Sequence, residues 1–183
     1  MTQHALYTIG HGNRQPVEFL GLLEKFGIEY LIDVRSVPYS RFNPSFNRED
    51  LNFLLQDNEV KYVFMGDSIG GRPADPACYI EGKIDYEIVM TKDFFLDGIE
   101  RLKTAYYKNL KVALMCSESD PCECHRSKLI GRVLESEGID LQHIDEKGLL
   151  KDQRRVINDL NRGRPDMDLF GNQINTTSRK AYL

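Results

Sequence analysis

Short β-rich runs alternate along the chain with stretches whose apolar positions recur every three or four residues. Leu6-Tyr7-Thr8-Ile9 is a strand-like run closed by the glycine turn Gly10-His11-Gly12-Asn13. Val17, Phe19, Leu20, Leu22, Leu23 and Phe26 then follow at helical spacing, with Gly27 as the stop. Residues 28–34 read as a second, largely buried strand. Pro38 and Pro44 bias their neighbours away from helix, so residues 35–44 form an irregular loop. Asn47 can cap a helix carrying Leu51, Phe53, Leu54 and Leu55. Residues 60–65 are the third strand. The glycines and prolines of residues 66–83 predict a long surface loop, of a length that usually signals function or mobility. A helix over 86–108 presents Phe94, Phe95, Ile99 and Leu102, and residues 111–116 form the fourth strand. After the polar loop from Ser117 to Cys124 come a helix over 125–137, a fifth strand over 139–144 and a helix over 149–161. The tail from Gly163 is polar apart from Met167, Leu169 and Phe170, and either packs on the body or frays.

This order predicts an α/β three-layer sandwich, with a mostly parallel central sheet of about five strands and helices on both faces. Residues 1–162 would form one domain and 163–183 a tail. Ligands of such sheets bind beyond the carboxyl ends of the strands. That rule selects residues 11–14, 35–41, 66–72 and 116–126.

Composition narrows the partners. A chain of 183 residues with a formal net charge of -4 carries no global electrostatic footprint for nucleic acid, leaving only a local basic patch as a route to one. No apolar run approaches the roughly 20 residues of a membrane span, and the N-terminus lacks the pattern of a secretory signal. A cytoplasmic protein is expected, with no membrane partner. Three of the four cysteines (Cys78, Cys116, Cys122, Cys124) crowd one loop, which is no disulfide framework, so reduced thiols are expected.

Several motifs carry a family likeness. Residues 7–13, Ile32-Asp33-Val34-Arg35-Ser36-Val37-Pro38-Tyr39-Ser40-Arg41, Gly70-Gly71-Arg72, Cys116-Ser117-Glu118 with Asp120-Pro121, Cys124-His125-Arg126 and an Asp168-Leu169-Phe170 tail resemble a bacterial and archaeal family. It is catalogued as domain of unknown function 488, and the likeness runs over nearly the whole chain; Cys122 looks like an addition to the pattern. A weaker likeness, at the level of fold, is to rhodanese-type domains. Those are similar in their Asp-Val-Arg strand end and in a later strand that runs into a cysteine and a loop closing on an arginine. The loop here is several residues longer than a compact sulfur-transfer cradle.

The chemistry of the selected loops points to an anion. Arg35, Arg41, Arg72 and Arg126 present planar forks of donors that match phosphate or carboxylate oxygens. Arg126, with His125, falls near a predicted helix start, where free N–H groups favour negative charge. The same arginines can instead pair with Asp33, Glu118 or Asp120. Tyr39 is placed to stack a base, or to lid the core. His11 can act as a general acid or base or can fix its loop, with Glu118 as a carboxylate partner. Cys116 is either a nucleophile or a small core residue. Cys124, beside His125 and Arg126, has the more electropositive setting. The clustered Cys-x-Cys-His does not supply two spaced ligand pairs, so no metal ligand is assigned, and no cofactor fingerprint appears. The resulting expectation is an enzyme acting on an anionic, phosphate-bearing small molecule, a nucleotide or a nucleic-acid-related substrate. The alternatives are a non-catalytic anion- or nucleotide-binding module, or a thiol-based sulfur-transfer or redox protein.

Overall fold

The computed structural model describes residues 5–164, Met167, Ile174 and 176–182. In chain order it contains β1 (Leu6–Gly10), α1 (Pro16–Lys25), β2 (Tyr30–Asp33), α2 (Arg48–Gln56), β3 (Lys61–Phe64), β4 (Tyr79–Ile80) and β5 (Lys83–Asp85). Then come α3 (Tyr86–Met90), α4 (Asp93–Tyr107), β6 (Val112–Cys116), α5 (Arg132–Ser136), β7 (Leu141–Ile144), β8 (Leu150–Asp152), α6 (Gln153–Leu160) and β9 (Thr177–Ala181).

The central sheet has six strands in the order β3-β2-β6-β1-β7-β8. Its first five are parallel, and β8 pairs antiparallel with β7. The α/β sandwich expected from the sequence is therefore present, with one strand more. The extra strand comes from the start of the stretch read as a helix over 149–161. Only Gln153–Leu160 is helical there, because the Asp152 carboxylate accepts the backbone N–H of Arg155 and caps the helix late.

Side chains leave successive strand residues on opposite faces, and this splits the core in two. Val112, Leu114 and Cys116 face α4 and α5, with Phe95, Ile99, Leu102, Leu129 and Leu134. Ala113 and Met115 face α1 and α2, with Phe19, Leu23, Leu51 and Leu55. At roughly 1.5–3 kcal/mol per fully buried large apolar side chain, these two layers supply most of the drive to fold.

Three other expectations are corrected. The helix over 86–108 is two helices, because the α3 hydrogen bonds stop at Thr91 and Lys92 opens α4. The helix over 125–137 begins as a π-turn (Arg126–Gly131) before α5. The loop over 66–83 contains β4 and the turn leading to β5, and β5 pairs with β9 from the tail. Of the tail's apolar cluster, Met167 is exposed, while Leu169 and Phe170 lie outside the described residues, as do Asp168 and His4. No described helix is long and apolar enough to cross a membrane.

Candidate functional site

All five parallel strands end on one edge, and β6 enters the sheet between β2 and β1. Beyond that edge lies a cavity of about 320 Å³. Its wall includes Arg35, Ser36, Gly71, Arg72, Tyr86, Cys116, Glu118, His125, Lys180 and Tyr182. Five residues expected at the site thus share one hollow: Arg35, Arg72, Cys116, Glu118 and His125.

The floor is a sulfur and imidazole cluster. Cys116 is the last residue of β6, and the pleat aims it at the α5 face, where the loop after β6 returns Cys124 and His125. His125 Nδ1 lies 3.8 Å from Cys116 Sγ and 3.6 Å from Cys124 Sγ. The Cys116 thiol donates to Glu118 Oε2 at 3.0 Å. Cys124 Sγ accepts from the backbone N–H of Arg126 at 3.5 Å and from Arg126 Nε at 3.2 Å. Among the described residues, the ligating atoms of Cys116, Cys124 and His125 form a group within 4.8 Å of one another, a soft donor set able to hold a metal.

Electrostatics separate the two thiols. Burial opposes ionisation of Cys124, but hydrogen bonding from Cys116 and the charges of Arg126 and His125 outweigh it and hold this thiol well below its ordinary value. Cys116 is pushed well above, first by its hydrogen bond to Cys124 and then by burial. Burial also opposes protonation of His125, yet the Cys124 thiolate and Glu118 raise it. The thiolate is the more hidden of the pair, since Cys124 is fully buried while Cys116 opens into the cavity.

Arg126 is fully buried behind this floor, where it also donates to Thr8 Oγ1 and to the Glu118 carbonyl oxygen. The Thr8 hydroxyl then donates to His143 Nδ1, His143 Nε2–H donates to Gln153 Oε1, and Gln153 donates to the Ser127 carbonyl. This relay clamps the π-turn to β1 and β7. Burial, then Arg126, lowers His143 to about 4, which keeps it neutral. Sequence reasoning passed over His143 because its partners come from residues 8 and 153, far away in the chain.

A second cluster sits at the same edge on the α1/α2 side. Arg35 donates through Nε and Nη2 to the Asp33 carboxylate, at 2.9 and 2.6 Å, and through Nη2 to the Phe46 carbonyl. Tyr62 donates to Asp33 as well. His11 stacks on Phe46 and holds Nδ1 against the Gly12 carbonyl, while Arg35 Nη1 lies 3.4 Å from its Nε2. Burial pulls His11 down to about 4. His11 therefore sits behind Arg35 rather than on the cavity wall.

The remaining residues fall elsewhere. Arg41 and Tyr39 are exposed on the loop after β2, outside the cavity wall. Lys180 and Tyr182, which the sequence reading set aside with the tail, arrive through the β5–β9 pairing. Arg72 stacks over Tyr182 at 5.2 Å, and among the described residues neither Arg72 nor Lys180 forms an ion pair.

No curated protein and no solved structure matches the chain, so the likeness to rhodanese-type domains has no supporting match. A comparison with protein-family models matches residues 15–134 to the family described as Domain of unknown function DUF488. The matched stretch holds Arg35, Arg72, Cys116, Glu118 and His125, but it leaves out the His11 turn and the tail that the resemblance had included. Since the match spans about two thirds of the sequence, the chain belongs to that family.

Proposed function

We propose that the protein is an enzyme acting on an anionic, phosphate-bearing small molecule held in the cavity at the carboxyl edge of the sheet. The observation that carries this reading is the make-up of the cavity wall, where Arg35, Arg72 and Lys180 share one hollow with Glu118, His125 and Cys116, and among the described residues neither Arg72 nor Lys180 forms an ion pair. Arginine and lysine donors hold the anion, while a carboxylate and an imidazole within reach of the same space move protons. A volume of about 320 Å³ suits a metabolite or mononucleotide fragment rather than a polymer. His11 acts here as a positioning residue for Arg35.

A thiol reaction is the second reading, favoured by the downward pull that Arg126 and His125 exert on the Cys124 thiol. Its weakness is that the ionised sulfur is covered, whereas the sulfur facing the cavity keeps its proton.

A melting-shift screen against nucleotides, nucleosides, sugar phosphates and inorganic phosphate tests the first reading. A ligand at 100 times its Kd stabilises by about 2.7 kcal/mol. Phosphate-bearing compounds should raise the Tm of the wild type and not that of Arg72→Ala, and Glu118→Gln should bind the same compounds without turning them over. A response that ignores Arg72 contradicts the reading. A wild type that binds but never turns over its ligand leaves a binding module instead. Turnover that survives a chelator and is lost in Cys124→Ser, with ligand affinity unchanged, favours the thiol reading.

A further inference from the structure

We propose that Cys116, Cys124 and His125 form a three-ligand site for a zinc-class divalent cation, with its fourth coordination position open to the cavity. The inference deepens the reading above by naming what the sulfur wall holds, and its test uses no anionic ligand.

The distances carry it. A tetrahedral cation bound at ordinary Zn–S and Zn–N lengths places sulfur and nitrogen about 3.6 Å apart. His125 Nδ1 lies 3.6 and 3.8 Å from the two sulfurs, and all three donor atoms fall within 4.8 Å of one another. Such lengths are ordinary for hydrogen bonds to sulfur, and they equally match two edges of a coordination tetrahedron.

The surroundings fit a metal thiolate. Cys124 Sγ receives a backbone N–H from the residue two positions on and a guanidinium N–H, donors that stabilise sulfur-borne negative charge without competing for the ligand lone pair. On the far side of the ring, His125 Nε2 is buried and has no hydrogen-bond partner among the described residues. A proton on Nε2 leaves the lone pair on Nδ1, directed at the sulfurs. Gly71 packs over the same nitrogen so closely that a Cβ there would sit 2.7 Å from Nδ1. That packing fixes the ring in its ligating pose.

Cys116 and His125 line the cavity whereas Cys124 is covered, so the free position faces the space that holds the substrate. Three protein ligands and one open position is the pattern of catalytic rather than structural zinc. Glu118, whose Oε2 lies 3.0 Å from Cys116 Sγ, is on the same cavity wall as Cys116 and His125. The sequence pattern alone hid the site because its first ligand is eight residues ahead of the second and ends a strand, whereas the Cys-x-Cys pair that attracts the eye includes Cys122. That thiol points away, to the Val156 carbonyl.

The test is a titration of the reduced, chelator-treated full chain with cobalt(II), followed by optical absorption. One cobalt per chain should bind with a thiolate-to-metal charge-transfer band and the intense visible bands of a tetrahedral site, and zinc should displace it. Cys116→Ser and Cys124→Ser should each remove roughly half of the charge-transfer intensity. His125→Ala should weaken binding by more than the ten- to hundredfold typical of losing an outer-shell partner. Cys122→Ser should titrate like the wild type. Absence of the charge-transfer band, or its loss in Cys122→Ser, overturns the proposal. Should the serine variants fail to fold, alkylation of the wild type decides: zinc should slow modification of Cys116 and leave the rate at Cys122 unchanged, and equal rates at Cys116 overturn the site. A failed phosphate screen with a positive cobalt titration rejects the substrate class and keeps the metal site; the reverse pair of results does the opposite.

Discussion

Asp33 and Cys116 end neighbouring strands, yet their side chains leave the sheet on opposite faces, and the two clusters they found differ in bonding capacity. On the α1/α2 face, Asp33 accepts from Arg35 and Tyr62, Arg35 also reaches Phe46 and His11, and both nitrogens of His11 have neighbours. That cluster is closed. On the α4/α5 face, His125 Nδ1 meets the sulfurs of Cys124 and Cys116 at 3.6 and 3.8 Å, and among the described residues His125 Nε2 has no hydrogen-bond partner. Richness in polar residues is shared by both; what distinguishes a site from a scaffold is the donor capacity left over.

The sharpest way to break this contrast is to damage the closed side. Asp33→Asn strips the charge from a pair in which Asp33 is 0% and Arg35 4% exposed, and breaking a buried pair costs about 3–5 kcal/mol. Urea unfolding should show that loss, and cobalt binding by the folded variant should be unchanged. A stability change under 1 kcal/mol would contradict the closed character of that cluster.

Acid separates the faces next. His11 and His143 are both lowered from 6.5 to about 4 by burial. Between those pH values the folded chain binds fewer protons than the unfolded one, so stability falls as pH drops from 6.5 to 4, by roughly 3 kcal/mol for each histidine. His143→Gln should flatten that slope in urea melts at successive pH values. On the sulfur side the lowered Cys124 thiol and the raised His125 oppose each other: between about 6.5 and 9 the folded pair keeps on the imidazole the proton that the unfolded chain keeps on the thiol, so this pair adds little to the slope there.

Smaller effects sharpen the open side. Gly71→Ala forces a Cβ against His125 Nδ1; overpacking of this kind costs about 1–3 kcal/mol, and the displaced ring should bind cobalt at least tenfold more weakly (about 1.4 kcal/mol). Arg72→Ala, at an exposed position, should change stability by no more than about 0.5 kcal/mol while lowering affinity for phosphate compounds. A large loss of stability there would show that Arg72 serves the β5–β9 packing.

Much of the fold was legible because strand and helix periods differ. Val112 to Cys116 reads as a buried strand, and Phe95, Ile99 and Leu102 as a helix face, without help from tertiary contacts. The site was legible only in part. The carboxyl-edge rule gathered Arg35, Arg72, Cys116, Glu118 and His125, but it could not tell Arg126, which is buried behind the cluster, from Arg72, which faces the cavity. Arg41 and Tyr39 shared a loop with Arg35 and still ended outside, because the pleat and Asp33 turn Arg35 inward while the residues beyond Pro38 follow the surface. Lys180 and Tyr182 depended on a strand pairing between residues about a hundred positions apart, for which local sequence carries no signal.

The account turns on the difference between a closed and an open cluster at one sheet edge, and anomalous diffraction from a zinc-soaked crystal tests it directly. The account predicts one strong peak between Cys116 Sγ, Cys124 Sγ and His125 Nδ1, with none beside His11 and Asp33. A peak at His11 and Asp33, or none at the two cysteines with their sulfurs reduced, would contradict it.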